Sequence, residues 1–337
     1  MSAAFNQFRL VQVGKETVKG TGVAATKKLR GDLTTAERIS RYYSMYPQGY
    51  RANPGGTGVA VAQGFGASFA SELTFEEILW FLLTGIKGGV TGAGAGTDKT
   101  WDFTPQLTTA PTLDAMTMEY TESDGSTNHV ARNVAYGMTK GFKVDWAFNQ
   151  EAKFSADVFG RYPTSAAPTA ALTEYSAREI AKSNLLKVFM DTTWAGLGGT
   201  QLTGFVRTAS LEVVTGNEED FNLDGRTTLD MTGHRFGLVQ AKLNMLLQLD
   251  ANGANAIGNW RNGDTRFIRL SQFGSLLTGI IFKEIRFDLA ARFIGDGEPG
   301  RATDGQYRTA NIQVETLLDP TSSKTFVPTV VNSLAAV

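Results

Sequence analysis

Hydrophobic and polar residues alternate along four segments of the chain, as in β-strands that bury one face and expose the other. In residues 142–148, for example, Phe142 and Trp146 lie on one side of the segment and Lys143 and Asp145 on the other. The same pattern occurs in three further segments, at 239–250, 285–293 and 310–318. Strands of this length with one polar face are typical of antiparallel sheets and barrels, so the sequence predicts a mainly β fold.

One α-helix is predicted at about residues 75–84. Thr74 and Glu77 have the spacing of a capping box, in which two side chains satisfy backbone donors at the start of a helix. An apolar run follows them, and Gly85 is a residue type that ends helices in the left-handed conformation. Because the run is apolar on most sides, we expect the helix to pack against a sheet. A weaker helix signal lies at 176–183.

Residues 161–175 are rich in Pro, Ala and Thr and show little periodicity, which indicates a linker between two halves of the chain. On each side of this linker the same order recurs, with a strand, a polar stretch that contains Asp-Gly, and a long alternating strand. We therefore predict two tandem domains, each a β-sandwich or half-barrel, in residues 1–165 and 176–337.

The composition excludes several classes of function. Hydrophobic residues make up 42% of the chain, which is enough to bury sizeable cores, and the net charge of −1 provides no basic surface for wrapping nucleic acid. The chain has no cysteine, so disulfides and thiolate metal sites are excluded. No apolar run reaches the ~18 residues of a membrane span, and the N-terminus does not resemble a secretory signal. We expect a cytosolic product that makes no membrane contact.

The sequence contains no motif for catalysis. His129 and His234 are its only histidines, and neither belongs to a recognisable nucleophile–base or zinc motif, so no catalytic residue and no cofactor is predicted. The glycine-rich stretch at 92–100 resembles a phosphate-binding loop. However, Asp98 places a carboxylate beside Lys99, where an anionic phosphate is expected. A flexible surface loop is the preferred interpretation.

A possible calcium loop begins at Asp220. Together with Asn222 and Asp224 it matches the opening of such a loop, in which alternate oxygens converge on the ion. The twelfth position, which should supply a bidentate glutamate, is Met231. A polar turn is therefore preferred, and a β-sandwich enzyme or calcium-dependent binding module is kept as an alternative.

The order of several short motifs resembles that of the bacteriophage tail tube proteins, the major tail proteins of phages with long, non-contractile tails. The resemblance begins with KETVKGTGVAAT at 15–26 and ends with FVPTVVNSLAA at 326–336. Six further motifs lie between them in the same order: SELTFEEILWFLLTGIKGG at 71–89, WDFTP at 101–105, MTMEY at 116–120, GMTKGFKVDW at 137–146, LLKVFMD at 185–191 and LEVVTGNEEDFNLDG at 211–225. Together the motifs cover nearly the whole chain.

The resemblance implies a structural protein of the virion and not an enzyme. Its subunits are expected to form rings in the host cytoplasm, and the rings are expected to stack into a tail tube through which genomic DNA passes without specific binding. Two tail-tube-type domains in one chain imply homotrimeric rings with pseudo-sixfold symmetry. Other tail proteins, such as the tape measure and the tail terminator, are expected partners.

The channel of such a tube is expected to be lined by the polar faces of the alternating strands. The candidates are Lys143, Asp145, Gln240, Lys242, Asn244, Gln248, Glu284, Asp288, Gln313 and Glu315. Contacts between rings are assigned to two irregular segments, 14–31 and 85–100, with the candidates Lys15, Glu16, Lys27, Lys28, Arg30, Gly92, Gly94 and Gly96. The alternative function is a virion decoration or adhesin-like β-sandwich that binds a receptor or glycan.

Overall fold

The computed structural model describes residues 9–43, 58–123, 128–204, 206–222, 228–294, 301–304 and 307–337. Two α-helices are found in these residues, α1 (Ile78–Gly85) and α2 (Ala251–Asn262). The strands are β1 (Leu10–Lys15), β2 (Lys27–Leu29), β3 (Asp32–Tyr42), β4 (Val59–Glu72), β5 (Lys99–Asp102), β6 (Met116–Ser123), β7 (Asn128–Ala147), β8 (Lys153–Gly160), β9 (Thr164–Ser165), β10 (Leu186–Asp191), β11 (Val206–Val214), β12 (Glu218–Asp220), β13 (Gly233–Arg235), β14 (Gln240–Gln248), β15 (Thr265–Thr278), β16 (Ile281–Phe293), β17 (Arg301–Asp304), β18 (Tyr307–Thr316) and β19 (Phe326–Asn332).

The mainly β fold predicted from the alternating segments is confirmed. The four segments lie in β7, β14, β16 and β18. In β14 the alternation corresponds to burial, because Leu243, Met245 and Leu247 are inaccessible to solvent and Lys242 is exposed. The period of two therefore reports one face packed on the core and one face outside it.

One antiparallel sheet passes through both halves of the chain. Its eight strands follow the order β3, β4, β8, the C-terminal half of β7, β11, β14, β18 and β17. The two halves meet where β7 pairs with β11. We refer to this array as the eight-stranded sheet.

Most of the remaining strands form a second layer, whereas β12 and β13 pair only with each other in a separate two-stranded sheet. The N-terminal half of β7 leaves the eight-stranded sheet and pairs with β6, which is followed by β1 and β2. In the second half of the chain, β16 pairs with β15, and β10 lies beyond β15. Strand β19 pairs with β16 on one side and with β5 on the other, so the C-terminal region returns to the first half. The main hydrophobic cluster contains residues from both halves.

The order of strand pairing recurs in the two halves. The ladders β1–β6, β6–β7, β7–β8, β8–β4 and β4–β3 of the first half have counterparts in β10–β15, β15–β16, β16–β18, β18–β14 and β14–β11 of the second. A helix follows the corresponding strand in each half, α1 after β4 and α2 after β14. Because the halves share a sheet and a core, their division into two domains stays a prediction.

The predicted linker, residues 161–175, packs against the first half. Tyr175 is buried, and its hydroxyl accepts a hydrogen bond from Trp80 Nε1 at 2.8 Å. The backbone amide of Thr169 donates to Glu119 Oε2 at 2.7 Å. Apart from the two-residue strand β9, which pairs with β7, the segment is irregular, and it is held by specific contacts.

The predicted helix is present as α1 and is buried along its whole length. One of the two capping-box contacts forms, because Thr74 Oγ1 accepts from the Glu77 amide at 3.2 Å. The Glu77 carboxylate accepts from the Thr74 hydroxyl at 3.0 Å rather than from the Thr74 amide, and the N-cap of the helix is Glu77 itself. The expected left-handed stop at Gly85 is not found, because Gly85 is the last residue of the helix and the C-cap Ile86 has φ of −112°. The weak signal at 176–183 does not give an α-helix, whereas α2 lies in a segment for which no helix was predicted. Within the described residues, neither helix has the length and apolar character that a membrane crossing requires.

Candidate functional site

Eight of the ten channel candidates share the face of the eight-stranded sheet that is turned away from the core. Two of them, Lys143 and Asp145, lie on β7 and form an ion pair at 2.9 Å, with both side chains more than two-fifths exposed. The other six lie on β14 and β18: Gln240, Lys242, Asn244, Gln248, Gln313 and Glu315. Strand pairing thus brings together residues that are distant in sequence.

Charges of opposite sign stand opposite each other across this polar face. In one row Lys143 pairs with Glu212 of β11, Glu212 with Lys242, and Lys242 with Glu315. A second row contains Glu72, Lys153 and Asp145 in register on β4, β8 and β7. Directly opposed opposite charges stabilise an antiparallel pair by roughly 0.2–1 kcal/mol, whereas like charges destabilise it. The alternation leaves no region of a single sign in these rows.

The other two channel candidates lie elsewhere, on the part of β16 that pairs with β15 and β19. Asp288 is buried and forms a bidentate ion pair with Arg269, at 2.6 and 2.9 Å. Glu284 accepts a hydrogen bond from the hydroxyl of Ser271 on the neighbouring strand. Both carboxylates are thus engaged within the second layer. The arrangement brings neither residue to the polar face that carries the other eight candidates.

Both edges of the eight-stranded sheet are open. Among the described residues, β3 has main-chain bonds only to β4, and β17 only to β18. Nine of the eleven residues of β3 form an uninterrupted exposed run, from Thr34 to Tyr42. The outer edge of β10, in contrast, is covered by residues 200–202. The amide of Leu202 donates to Val188 O at 2.8 Å, and the amide of Met190 donates to Thr200 O at 3.0 Å.

The segment 14–31, predicted to contact other rings, is fastened within the subunit. Glu16 is buried, and its carboxylate accepts hydrogen bonds from the amides of Tyr136 at 2.7 Å and Gly20 at 2.6 Å and from Thr117 Oγ1 at 3.0 Å. The four basic candidates also contact other parts of the fold: Lys15 pairs with Asp114 at 2.8 Å, Lys27 lies over the ring of Tyr175, and the amides of Lys28 and Arg30 donate to Thr173 O and Glu77 Oε1.

The glycine-rich loop borders the C-terminal residues. The amide of Gly92 donates to Ala335 O at 3.2 Å, and a Cβ at this position would lie 2.5 Å from Leu334 O, so a side chain does not fit. Gly94 and Gly96 have φ angles of +122° and +78°, which favour glycine. A role of either segment in ring stacking stays a prediction.

The stretch proposed as a calcium loop is a hydrogen-bonded turn in its described part. The side-chain amide of Asn222 donates to Asp220 Oδ2 and to Thr232 Oγ1, both at 3.0 Å. Asp224 lies outside the described residues. Within the described ranges, no group of three or more His, Cys, Asp or Glu gathers at one point as metal ligands.

Two acidic residues next to α1, Glu76 and Glu77, form a buried ionic cluster that the sequence did not reveal. Glu76 accepts a hydrogen bond from Lys283 Nζ at 2.6 Å, and Glu77 accepts one from Arg178 Nε at 3.2 Å. Burial raises the pKa of both carboxyls, and the cationic partners oppose that rise. The cluster connects α1 with β16 and with the residues that follow the linker.

Exposed apolar residues at two hairpin ends were also not predicted. At the outer end of the β3–β4 hairpin, Tyr42, Tyr43 and Val59 are more than half exposed. At the tip of the β15–β16 hairpin, Ile280 is 90% exposed. The apolar run LLTGIIF at 276–282 is a sequence signal for the second of these surfaces. The first has none, because its apolar residues come from two distant stretches.

Comparison with known proteins finds no family model that matches this chain and no significantly similar curated protein.

Proposed function

We propose that this chain is the repeating structural subunit of a phage tail tube, in which rings of subunits stack around a channel for the genome. One observation carries the proposal: the eight-stranded sheet ends in β3 and β17, whose outer sides have no main-chain partner in the described part of the chain. Long open edges favour aggregation, and closing the sheet onto identical neighbours removes them. The order of sequence motifs agrees with this function.

The polarity of the strands suits ring closure. All neighbours in the eight-stranded sheet are antiparallel, so its two edge strands run in opposite directions. Strand β17 of one copy can therefore pair with β3 of the next without a break in the antiparallel pattern. The β7–β11 ladder within the chain has the same arrangement as this proposed pairing between copies. Strand β11 is the counterpart of β3. Strands β16 and β17 together are the counterpart of β7, because they pair with successive parts of β18 as β7 pairs with β8.

The repeated pairing order supports two tandem tail-tube-type folds in the chain, one on each side of residues 161–175. In a ring, the β7–β11 pairing within each chain and the β17–β3 pairing between copies would then alternate. Three chains would supply six similar folds and give a pseudo-sixfold ring. Contacts that stack without closing extend such rings into a tube.

The polar face of the eight-stranded sheet is proposed to line the channel. Each phosphate that a protein neutralises strengthens salt-dependent binding to DNA, so a channel for passage should not carry a uniformly basic wall. The alternating row of Lys143, Glu212, Lys242 and Glu315 meets this requirement. Glu284 and Asp288 are left out of the proposed lining because they are engaged in the second layer.

Negative-stain electron microscopy of the purified, concentrated protein tests the proposal. Hollow rods of uniform width, built from rings with three chains each, are the expected result. Rings with another number of chains would reject the trimer and leave the tube function standing. A protein that remains monomeric under all conditions, with no rods, would reject the function and favour a decoration or adhesin role.

A further inference from the structure

The two halves can be aligned across the eight-stranded sheet by their ladders. The pair Glu72–Lys153 ends the β4–β8 ladder on the side of α1. The pair Gln248–Thr309 ends the β14–β18 ladder on the side of α2. These two pairs occupy the same place in the repeated pairing order, so we take them as equivalent.

The alignment extends to the other end of the sheet. Eight residues before Glu72 and Gln248 lie Gly64 and Gln240. Their partners on the adjacent strands are Arg38 for Gly64 and Val214 for Gln240. Arg38 on β3 therefore corresponds to Val214 on β11.

The segments that follow these two residues have the same length. Residues 39–63 connect the aligned parts of β3 and β4, and residues 215–239 connect those of β11 and β14, so each segment has 25 residues. In these two segments and the strands that flank them, the numbering of corresponding residues differs by 176. The ladders inside the segments agree with this offset, because it relates two observed cross-strand pairs, Tyr42↔Val59 and Glu218↔Arg235.

In the second half, the 215–239 segment folds over the first half of the same chain. Glu219 forms an ion pair with Arg38 on β3. Asp230 accepts a hydrogen bond from the amide of Tyr162 at 2.9 Å, and Met231 is buried in a cluster that contains Phe159. The 215–239 segment therefore starts in the second half, after β11, and packs on the first half.

The 39–63 segment belongs to the first half, and the described residues contain no earlier half on which it could pack in the same way. Its described outer end carries Tyr42, Tyr43 and Val59, which are 54%, 56% and 64% exposed. We infer that this outer end packs on the second half of a neighbouring copy in the ring, just as the 215–239 segment packs on the first half of its own chain. The inference rests on the proposed ring and adds to it a specific contact between subunits.

The side chains at the corresponding positions are complementary. Tyr43 corresponds to Glu219 and Val214 to Arg38, so an ion pair within the chain becomes an apolar pair between copies. In the single chain Val214 is 47% exposed. The equivalence of the pairs Glu72–Lys153 and Gln248–Thr309 aligns β8 with β18 at an offset of 156, so Leu318 corresponds to Tyr162. Leu318 is 58% exposed and extends the apolar surface offered to the neighbour. Burial of these exposed residues against one another removes apolar area from water on both subunits.

Cysteine cross-linking in assembled rods tests this contact, because the native chain contains no cysteine. The double variant Tyr43→Cys/Val214→Cys is treated with a short bismaleimide and separated on a denaturing gel. We expect bands of two and three linked chains and no higher species, since links within a closed ring end at the ring. The matched control Arg38→Cys/Glu219→Cys should link within one chain and show no increase in mass. Each single variant should stay unlinked.

Three outcomes would overturn the inference while the tube function stands. In the first, rods form and the control pair reacts, yet Tyr43→Cys/Val214→Cys gives no linked chains. In the second, the linked series continues beyond one ring, which places the contact between rings. In the third, the double variant does not polymerise, and co-assembly of the two single variants with excess native chain gives no linked dimer. Absence of rods from the native protein would reject both the function and the contact.

Discussion

His234 connects the β12–β13 hairpin of the second half to the first half. Its Nδ1 lies 2.9 Å from the hydroxyl of Tyr136, and its Nε2 is buried with no hydrogen-bond partner among the described residues. Burial, and to a lesser extent the charge of Lys19, lowers the pKa of this imidazole to about 4 from the ordinary 6.5. Protonation of His234 therefore opposes the packing of the hairpin.

The first prediction concerns the pH dependence of stability. Between pH 6.5 and about 4, His234 binds a proton more readily in the unfolded chain than in the folded chain, so stability should fall as the pH is lowered through this window. His234→Asn should reduce that fall. Urea denaturation of both proteins at pH 7.5 and pH 5 measures the difference. An equal loss of stability in both proteins would show that His234 does not cause it.

The second prediction concerns the buried pair Glu76–Lys283, whose Oε1 and Nζ atoms are 2.6 Å apart. Lys283→Met should lower the free energy of unfolding by about 3–5 kcal/mol, because it leaves a buried carboxylate without its cation. The double variant Glu76→Gln/Lys283→Met should recover part of this loss, since a neutral amide is less costly to bury than a charge. The double-mutant cycle compares the free energies of unfolding of the native chain, Glu76→Gln, Lys283→Met and the double variant, measured by urea denaturation. Strictly additive losses would contradict a coupled pair.

The elements of this fold differ in how strongly the sequence predicts them. Strand β14 was predicted because one of its faces is buried and the other polar, which gives a period of two. Strand β3 was not, since ten of its eleven residues are exposed and neither of its faces is apolar. Helix α2 was missed because ANGANAIGNWRN contains Gly and Asn, which have low helix propensity. Of the capping box predicted before α1, the bond from the Glu77 amide to Thr74 Oγ1 forms, but the helix begins only at Ile78 with Glu77 as its N-cap.

The third prediction tests that capping box. Thr74 is buried and bonds both the amide and the carboxylate of Glu77. Thr74→Val keeps the shape but removes the hydroxyl, so stability should fall by roughly 1–2 kcal/mol. Thr74→Ser retains the hydroxyl and should lose less. Thermal and urea unfolding compare the three proteins. If Thr74→Val and Thr74→Ser had the same free energy of unfolding, the hydrogen bonds of Thr74 would make no measurable contribution to stability.

The pairing of the two halves could not be predicted from the sequence. The strands of the eight-stranded sheet were partly visible, but the β7–β11 ladder joins residues on both sides of the linker, and no local pattern encodes such a partner. Polar candidates were chosen by strand phase alone. Eight of the residues selected in this way share the polar face of the eight-stranded sheet. The other two, Glu284 and Asp288, lie in the second layer, because the alternation along a strand does not tell which sheet the strand enters. The pairing of residues between neighbouring strands, which the structure shows, is what assigns each strand to its sheet.

The fourth prediction tests whether the polar face lines the channel. Glu212 and Glu315 interrupt a row that otherwise contains Lys143 and Lys242. The double variant Glu212→Lys/Glu315→Lys makes the row uniformly basic, so passing DNA should be retained by its phosphates and genome ejection should slow, with partial recovery at high salt. Single-particle fluorescence of DNA leaving virions with variant tails measures the ejection rate.

Two control variants separate the channel from other sites of charge change. Glu284→Lys makes one such charge reversal in the second layer and should leave the ejection rate unchanged. Lys242→Glu/Glu315→Lys exchanges one facing pair and keeps the net charge of the row, so it should slow ejection much less than Glu212→Lys/Glu315→Lys. These comparisons require virions with tails of normal length. If tails assemble and the uniformly basic row ejects DNA at the native rate, then this face does not border the DNA, and the channel must be formed by another surface of the subunit.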